Sequence, residues 1–255
     1  MTVDLKEKNN NEVSLVIIAK NEDTGIEDCI LSALEVADHI IVKVDDKTTD
    51  HTYKIAKQYA DEISFFTWQD DFSKARNDAQ AGVTTPWILS LDAHEYIVKF
   101  DNLEERLKTE ADALLVELKL ESGFTFHFPR LYRRHCQYKD AVHNNLITEK
   151  GENYPEFLIQ HNREKGQSAE STKEREEQKA EMMPRILKQQ LALDESNTRA
   201  SFHLGVYYHS KNKPKEAIKY YRLYCRYSKV AAEKWYILFS WSQCLLGQKN
   251  ILEPI

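Results

Sequence analysis

The stretch Trp87-Ile88-Leu89-Ser90-Leu91-Asp92-Ala93-His94-Glu95 decides how this chain is read. An apolar run of the kind that forms a buried strand stops abruptly at Asp92, and two further polar groups follow at positions 94 and 95. An Asp-x-His pair just past a strand end lets a carboxylate and a second ligand meet one divalent cation. Alone the triplet discriminates little, because a strand ending in Asp and then a turn occurs in any α/β protein.

Repetition over the first hundred residues adds weight. Val13 to Ala19 is a β-branched apolar run ending in Lys20-Asn21-Glu22. His39 to Val44 is another, ending in Asp45-Asp46-Lys47-Thr48-Thr49-Asp50, and Ile63 to Thr67 is a third, ending in Trp68-Gln69-Asp70-Asp71. Helical patterns lie between them: Ile26, Ile30, Leu31 and Leu34; then Tyr53, Ile55, Ala56 and Tyr59; then Phe72, Ala75 and Ala79. Alternating strands and helices predict a parallel sheet with right-handed crossovers, whose ligands bind outside the carboxyl ends of the strands. Four polar clusters then converge on one rim. A rim so rich in carboxylates repels a bare phosphate unless a cation intervenes, which points to a metal-nucleotide rather than a simple anion.

The composition suits a soluble enzyme. A chain of 255 residues accommodates one ordinary domain and an appendage. The net charge of −6 leaves no broad basic surface for nucleic acid, and the cluster Arg130, Arg133, Arg134 and His135 is local. No apolar stretch approaches the roughly 20 residues needed to cross a bilayer, and Met1 to Asn11 lacks the apolar core of a signal peptide. Cys29, Cys136, Cys225 and Cys244 form no Cys-x-x-Cys pair, which fits a reducing compartment, and a cytoplasmic location is expected.

Further strands are expected at Ala113 to Leu120, Phe124 to Tyr132 and Phe157 to Gln160. The aromatic residues of the second, Phe124, Phe126 and Phe128 with His127, either flank an acceptor opening or, on the inward face, fill the core. From Arg163 to Lys179 the sequence is charged, with no apolar face, and the domain boundary is placed there. The expected organisation is an α/β domain over residues 1–165 and a helical domain over 166–255. In the latter, Leu204-Gly205-x-x-Tyr208 and Ala217-x-x-x-Tyr221, with Pro214 opening the second helix, resemble a tetratricopeptide repeat. Small Gly205 and Ala217 let two antiparallel helices approach while tyrosines fill the gap. A plain helical bundle fits the same residues, since three repeats normally make an independent solenoid.

Ser14 to Ile18 with Lys20-Asn21-Glu22, Ile40 to Asp50, Trp68 to Phe72 with Ala75-Arg76-Asn77, Trp87 to Glu95, and Arg130 to Arg134 followed by Ala141-Val142-His143 together resemble family 2 glycosyltransferases. The branch resembled contains lipopolysaccharide-core glucosyltransferases and bacteriocin peptide glycosyltransferases. The resemblance implies a GT-A fold, a nucleoside-diphosphate sugar donor, usually a UDP-sugar, and Mn2+ or Mg2+. It implicates Asn21, Glu22, Asp45, Asp46, Arg76 and Asp92 in donor binding. Asp50 reads first as the N-cap of the following helix, and Arg76 either reaches the nucleotide or pairs with Asp70 or Asp71.

Two departures bear on mechanism. The branch usually has Asp-Ala-Asp-Glu where this chain has Asp92-Ala93-His94-Glu95. Imidazole is a competent Mn2+ ligand, and the resemblance makes Asp92, His94 and His143 the implied metal set. Asn144 stands where the family tends to carry Glu after its Val-His pair, which leaves Asp140 as the nominee for general base; as a surface residue Asp140 also suits a turn. The implied reaction is attack of an acceptor hydroxyl or thiol on the anomeric carbon, with inversion. The acceptor class stays open among a saccharide, a peptide side chain and a modified nucleic-acid base. The alternative is a disabled transferase serving as a scaffold through its helical repeats, and the replacements at His94 and Asn144 are its motive.

Overall fold

The computed structural model describes residues 12–162, 169–229, 234 and 237–242. The polar start Met1 to Asn11, Cys244 and the boundary expected between 165 and 166 lie outside them. The chain divides into two compact units, Met1–Thr172 and Lys173–Ile255.

The first unit begins with strand β1 (Val13–Ala19), helix α1 (Ile26–Ser32), β2 (His39–Asp45), α2 (Thr52–Ala56), β3 (Glu62–Phe66), α3 (Phe72–Gln80) and β4 (Trp87–Asp92). It continues through β5 (Glu95–Lys99), α4 (Leu103–Arg106), β6 (Ala113–Lys119), β7 (Thr125–Arg133), β8 (Gln137–Lys139), β9 (Asn145–Ile147) and β10 (Gly151–His161). One eight-stranded sheet runs in the order β3-β2-β1-β4-β7-β6-β10-β5, and β8 pairs separately with β9. The segment β3-β2-β1-β4 is wholly parallel, so its strands end on one rim. This is the mostly parallel α/β sheet expected from the alternating pattern. β7 enters antiparallel to both β4 and β6. The near-continuous apolar character of β1, β2 and β4 follows from burial on both faces: Leu15, Ile17, Val42 and Leu89 face one core cluster, while Val16, Ile41 and Ile88 face another.

Two differences from the expected strands have local causes. β10 extends well before Phe157 because Pro155 sits where the register against β6 slips, between Tyr154 and Leu158; a proline there reads as a break, yet a bulge absorbs it. β5 starts after only Ala93 and His94. The tight turn lets Glu95, read from sequence as the second polar group after the strand end, begin an antiparallel strand opposite His161.

The second unit contains α6 (Thr198–Ser210) and α7 (Pro214–Tyr227), preceded by α5 (Ala169–Leu193). Asn197 caps α6 by accepting from the Ala200 amide at 2.9 Å, and Pro214 opens α7 where its missing N–H costs nothing. A methyl group added at Gly205 would overlap the Tyr221 ring, so the absent side chain is what lets the helices meet. Of the repeat-like positions, Leu204, Gly205, Ala217 and Tyr221 are buried there and Tyr208 is half-buried, while Tyr224, outside the expected pattern, is buried beside them.

Candidate active site

The loops after β1 and β2 are latched to each other. Asn21, at φ 52°, accepts from the Thr49 amide at 2.8 Å, the Glu22 amide donates to the Thr52 hydroxyl at 2.7 Å, and the Asp23 amide donates to Asp50 at 3.1 Å. Asp50 also accepts from the Thr52 amide and hydroxyl in a local turn two residues long, but the N-cap of α2 is His51 with no side-chain cap bond, so the N-cap expected of Asp50 is not formed. Asp45 is buried at the end of β2; one oxygen accepts from the Lys47 amide at 2.8 Å and the other lies 3.4 Å from Lys20 Nζ. Asp46 is more exposed and accepts from the Thr67 hydroxyl at 2.5 Å. Asn21, Glu22 and Asp45 thus stand on adjoining strand ends.

At the end of β4, Asp92 is bracketed by two guanidiniums. Arg76 donates to Oδ1 at 2.5 Å and to the Ser90 hydroxyl at 3.0 Å; Arg130 donates to Oδ2 at 2.9 Å and bonds Glu95 as well. The second Glu95 oxygen accepts from the Asp92 amide at 3.0 Å, closing the turn. The pairing suggested between Arg76 and Asp70 or Asp71 is therefore formed with Asp92; Asp71 instead caps α3 through Lys74, and Asp70 accepts from the Trp68 indole. Asn77, next to Arg76, exchanges two hydrogen bonds with the Tyr138 backbone and holds the β8–β9 hairpin against α3.

This quartet of two carboxylates and two guanidiniums shifts every member. Burial opposes the charge of Asp92, yet Arg130 and Arg76 beside it hold its carboxyl well below the usual carboxylate range. Glu95, with no exposed side chain, is pushed up by burial; Arg130 pulls it back and the charge on Asp92 pushes it up again, leaving it above its usual value. Burial works against the charge of Arg130, but Glu95 and Asp92 more than offset it, so the guanidinium stays charged. Under the turn, Cys29 donates to the Asp92 carbonyl at 3.5 Å, and burial together with Glu95 pushes its thiol well up, which makes it inert.

His94 follows in the turn with only 10% of its side chain exposed. Its Nδ1 lies 3.8 Å from Glu22, its ring meets His161 edge-on at 4.7 Å, and its Nε2 is buried with no partner. Asp92 keeps about half of the four lone-pair sites of a carboxylate. An unpartnered buried imidazole nitrogen two residues from such a carboxylate is a donor pair, one nitrogen and one oxygen, of the kind a divalent cation accepts. Among the described residues no three His, Cys, Asp or Glu side chains form a ready-made metal set, so a cation there would need donor phosphate or water ligands as well.

The remaining nominees occupy the loop between β8 and β9. Asp140 and His143 both adopt positive φ, 71° and 50°, and His143 is exposed. The Phe72 amide donates to the Ala141 carbonyl at 2.8 Å, tying this loop to the start of α3. Asn144 has a buried Nδ2 without a partner. The His94 ring meets Glu22 and His161, and its carbonyl accepts from the Asn162 amide at 2.9 Å.

Arg130, Glu95 and His161 were not singled out from sequence as site residues. Arg130 is the extra residue where the β6–β7 register shifts, opposite Leu114 and Leu115, and the bulge re-aims it toward Asp92. A Pro-Arg step in an otherwise alternating strand was the available signal. His161 becomes legible only when β5 is known, because the β5–β10 pairing sets it opposite Glu95.

The model of glycosyl transferase family 2 matches residues 14–172. A TPR repeat-containing protein of Synechococcus elongatus is 38% identical over 87 residues, which are 34% of this chain and 21% of that protein. The SPbeta prophage-derived glycosyltransferase SunS of Bacillus subtilis is 39% identical over 79 residues, 30% of this chain and 18% of its own length. The chain thus spans about a fifth of the length of these two curated relatives. The crystal structure of S. aureus TarS 1-349 in complex with UDP superposes with a TM-score of 0.49 at 16% identity, covering 91% of this chain and 88% of that one.

Proposed function

Because the chain belongs to glycosyl transferase family 2, we propose that it transfers a sugar from a nucleoside-diphosphate donor, a UDP-sugar by preference, to an acceptor nucleophile at the rim formed by β1, β2 and β4. The observation that carries the reading is the placement of Asp92 and His94 at the end of the strand beside β1, with His94 Nε2 unpartnered and Glu22 beside its Nδ1. In this reading Asn21, Glu22 and Asp45 line the nucleoside end, Asp45 accepting from a uracil edge or a ribose hydroxyl. Asp92 and His94 would hold Mn2+ or Mg2+, which when bound supplies charge compensation for the departing diphosphate. Arg76 and Arg130 keep Asp92 ionised and fixed in orientation, so the carboxylate needs no proton loss before use. Asp140 or an equivalent base takes the acceptor proton as its oxygen or sulfur attacks the anomeric carbon and the diphosphate leaves, with inversion. Glycosyl transfer needs no covalent enzyme nucleophile.

Calorimetric titration of the full chain with UDP, with and without Mn2+, tests this. Binding should depend on Mn2+, and Asp92→Asn should weaken the metal-dependent affinity at least about tenfold, or roughly 1.4 kcal/mol. Unchanged affinity in the variant would remove the metal assignment. UDP binding without hydrolysis of any UDP-sugar would favour a disabled transferase.

A further inference from the structure

Helix α7 carries a charge pattern that neither its packing nor the donor site uses. Lys215, Lys219, Arg222 and Arg226 recur at intervals of four, three and four residues, which puts all four within an arc of about 60° and along about 16 Å of one helix face. All four are exposed, whereas Ala217, Tyr221 and Tyr224 bury the opposite side. Lys213 precedes the row and Lys229 follows it. Between residues 211 and 229 the chain has seven basic residues and one acid, Glu216, a net +6 in a chain whose overall charge is −6. A face that only has to be wet gains from mixed signs, because opposite charges four apart support a helix and like charges four apart oppose it. Here Lys215 and Lys219, and again Arg222 and Arg226, repel at that spacing. Lys215 also lies in the first turn, where the helix dipole disfavours a cation. The single Glu216 leaves most of this repulsion standing, and an anionic surface laid along the stripe would relieve it.

We propose that this stripe is a membrane-docking surface whose partner is the face of a bilayer containing anionic phospholipids. The proposal is independent of the donor assignment. Two observations favour a lipid surface over nucleic acid. Arg222 lies over the Trp241 ring at 5.4 Å, which ties the stripe to the helical segment 237–242, and there Leu238 and Phe239 stand 43% and 64% exposed. Large apolar side chains next to a basic row suit an interface at which cations meet headgroups and apolar groups enter the acyl boundary. The row is also straight, along one side of a single helix, as contact with a flat surface requires. No helix of the described residues is long and apolar enough to cross a membrane, and the contact proposed is a peripheral one.

The test mixes the full chain with vesicles of phosphatidylcholine alone, or of phosphatidylcholine and phosphatidylglycerol in equal parts, and measures cosedimentation. The native chain should bind the anionic vesicles, leave the neutral ones unbound, and be released from the former as salt rises from about 0.05 to about 0.5 M. That release is read on the native chain and needs no variant. Lys215→Gln, Lys219→Gln and Arg226→Gln combined should weaken the partition at least about thirtyfold, since each cation near such a surface is worth about fivefold. Phe239→Ser should weaken it a few-fold. All four side chains are exposed, so the circular dichroism and melting temperature of both variants should match those of the native chain. Equal binding to neutral vesicles, no binding to anionic vesicles at the lower salt, or a folded combined variant that binds as before would overturn the proposal. Tighter binding to duplex DNA than to anionic vesicles, at equal phosphate concentration, would also overturn it and make the stripe a nucleic-acid surface.

Discussion

Replacing Arg130 by Met removes one of the two guanidiniums that neutralise the quartet and leaves Glu95 with no exposed side chain and no cation. Breaking a buried ion pair by deleting one partner costs about 3–5 kcal/mol, because the surviving charge is left desolvated. For a unit of this size that corresponds to a fall of about 6–20 °C in the melting temperature at pH 7.5. The pH dependence has a definite sign. Glu95 already sits above its usual value, and a carboxyl whose folded pKa is raised contributes stability below its unfolded value of about 4.3, which is lost as pH rises through the folded pKa. Without Arg130 that folded pKa climbs further, so the deficit of the variant should be largest near pH 7.5 and shrink toward pH 5. Pairing Arg130→Met with Glu95→Gln should recover more than half of the loss. Differential scanning calorimetry over this pH range decides the matter. A loss below about 2 °C at pH 7.5, or one that grows on acidification, would show that the Arg130–Glu95 pair does not govern the turn.

Three further outcomes follow from close approaches and from the turn. A Cβ at Gly25 would lie 2.8 Å from the Ala93 carbonyl oxygen, so Gly25→Ala should displace the turn that carries His94, lower stability by about 1–3 kcal/mol and weaken UDP binding; an unshifted UDP affinity would show that the turn yields without consequence. Gly205→Ala should destabilise the helical unit by a similar amount through its clash with the Tyr221 ring, visible as an earlier helical transition in circular dichroism, while UDP affinity stays as it was. His94→Asp should shift the cation that best supports UDP binding from Mn2+ toward Mg2+, because a hard oxygen replaces imidazole; the same Mn2+ preference in both proteins would remove His94 from the cation.

The sheet of β1 to β4 was legible because each strand is an uninterrupted apolar run closed by a polar cluster, and the topology then forces those clusters to one rim. That logic places Asn21, Glu22, Asp45 and Asp92 on the rim, whereas their donor-binding role comes from the resemblance to family 2 glycosyltransferases. The second half of the sheet was less legible for a different reason at each place. Pro155 disguised the first half of β10, the two-residue turn after Asp92 disguised β5, and the bulge at Arg130 broke the alternation that would have assigned its direction. Of the two readings left open for Arg76, the one that paired it with Asp70 or Asp71 is not what forms. Asp70 and Asp71 are near in sequence, whereas Asp92 reaches Arg76 only through the β1–β4 pairing that brings the end of β4 over α3. In the helical unit, the glycine and alanine positions were readable because close helix packing demands small residues at fixed spacing.

Under the proposed donor assignment, the charges of the quartet bear on how a carboxylate-rich rim would serve a diphosphate. Asp92 and Glu95 carry two negative charges, and Arg76 and Arg130 carry two positive ones, so the cluster as a whole offers a donor neither attraction nor repulsion. Both guanidiniums are already committed to carboxylates; turning either toward phosphate would strand a buried anion, at a cost comparable to the ion pair itself. The counter-charge for a diphosphate must then come from another source, and the open valences of Asp92 and the unpartnered Nε2 of His94 are where a dication would supply it. In the proposed reading an imidazole ligand at position 94 in place of a second carboxylate would bring no negative charge to the dication, leaving it more net positive charge to share with the phosphates. On this account the two arginines and the histidine act on the same quantity: the arginines cancel the charge of Asp92 and Glu95, and the histidine adds no further negative charge beside them.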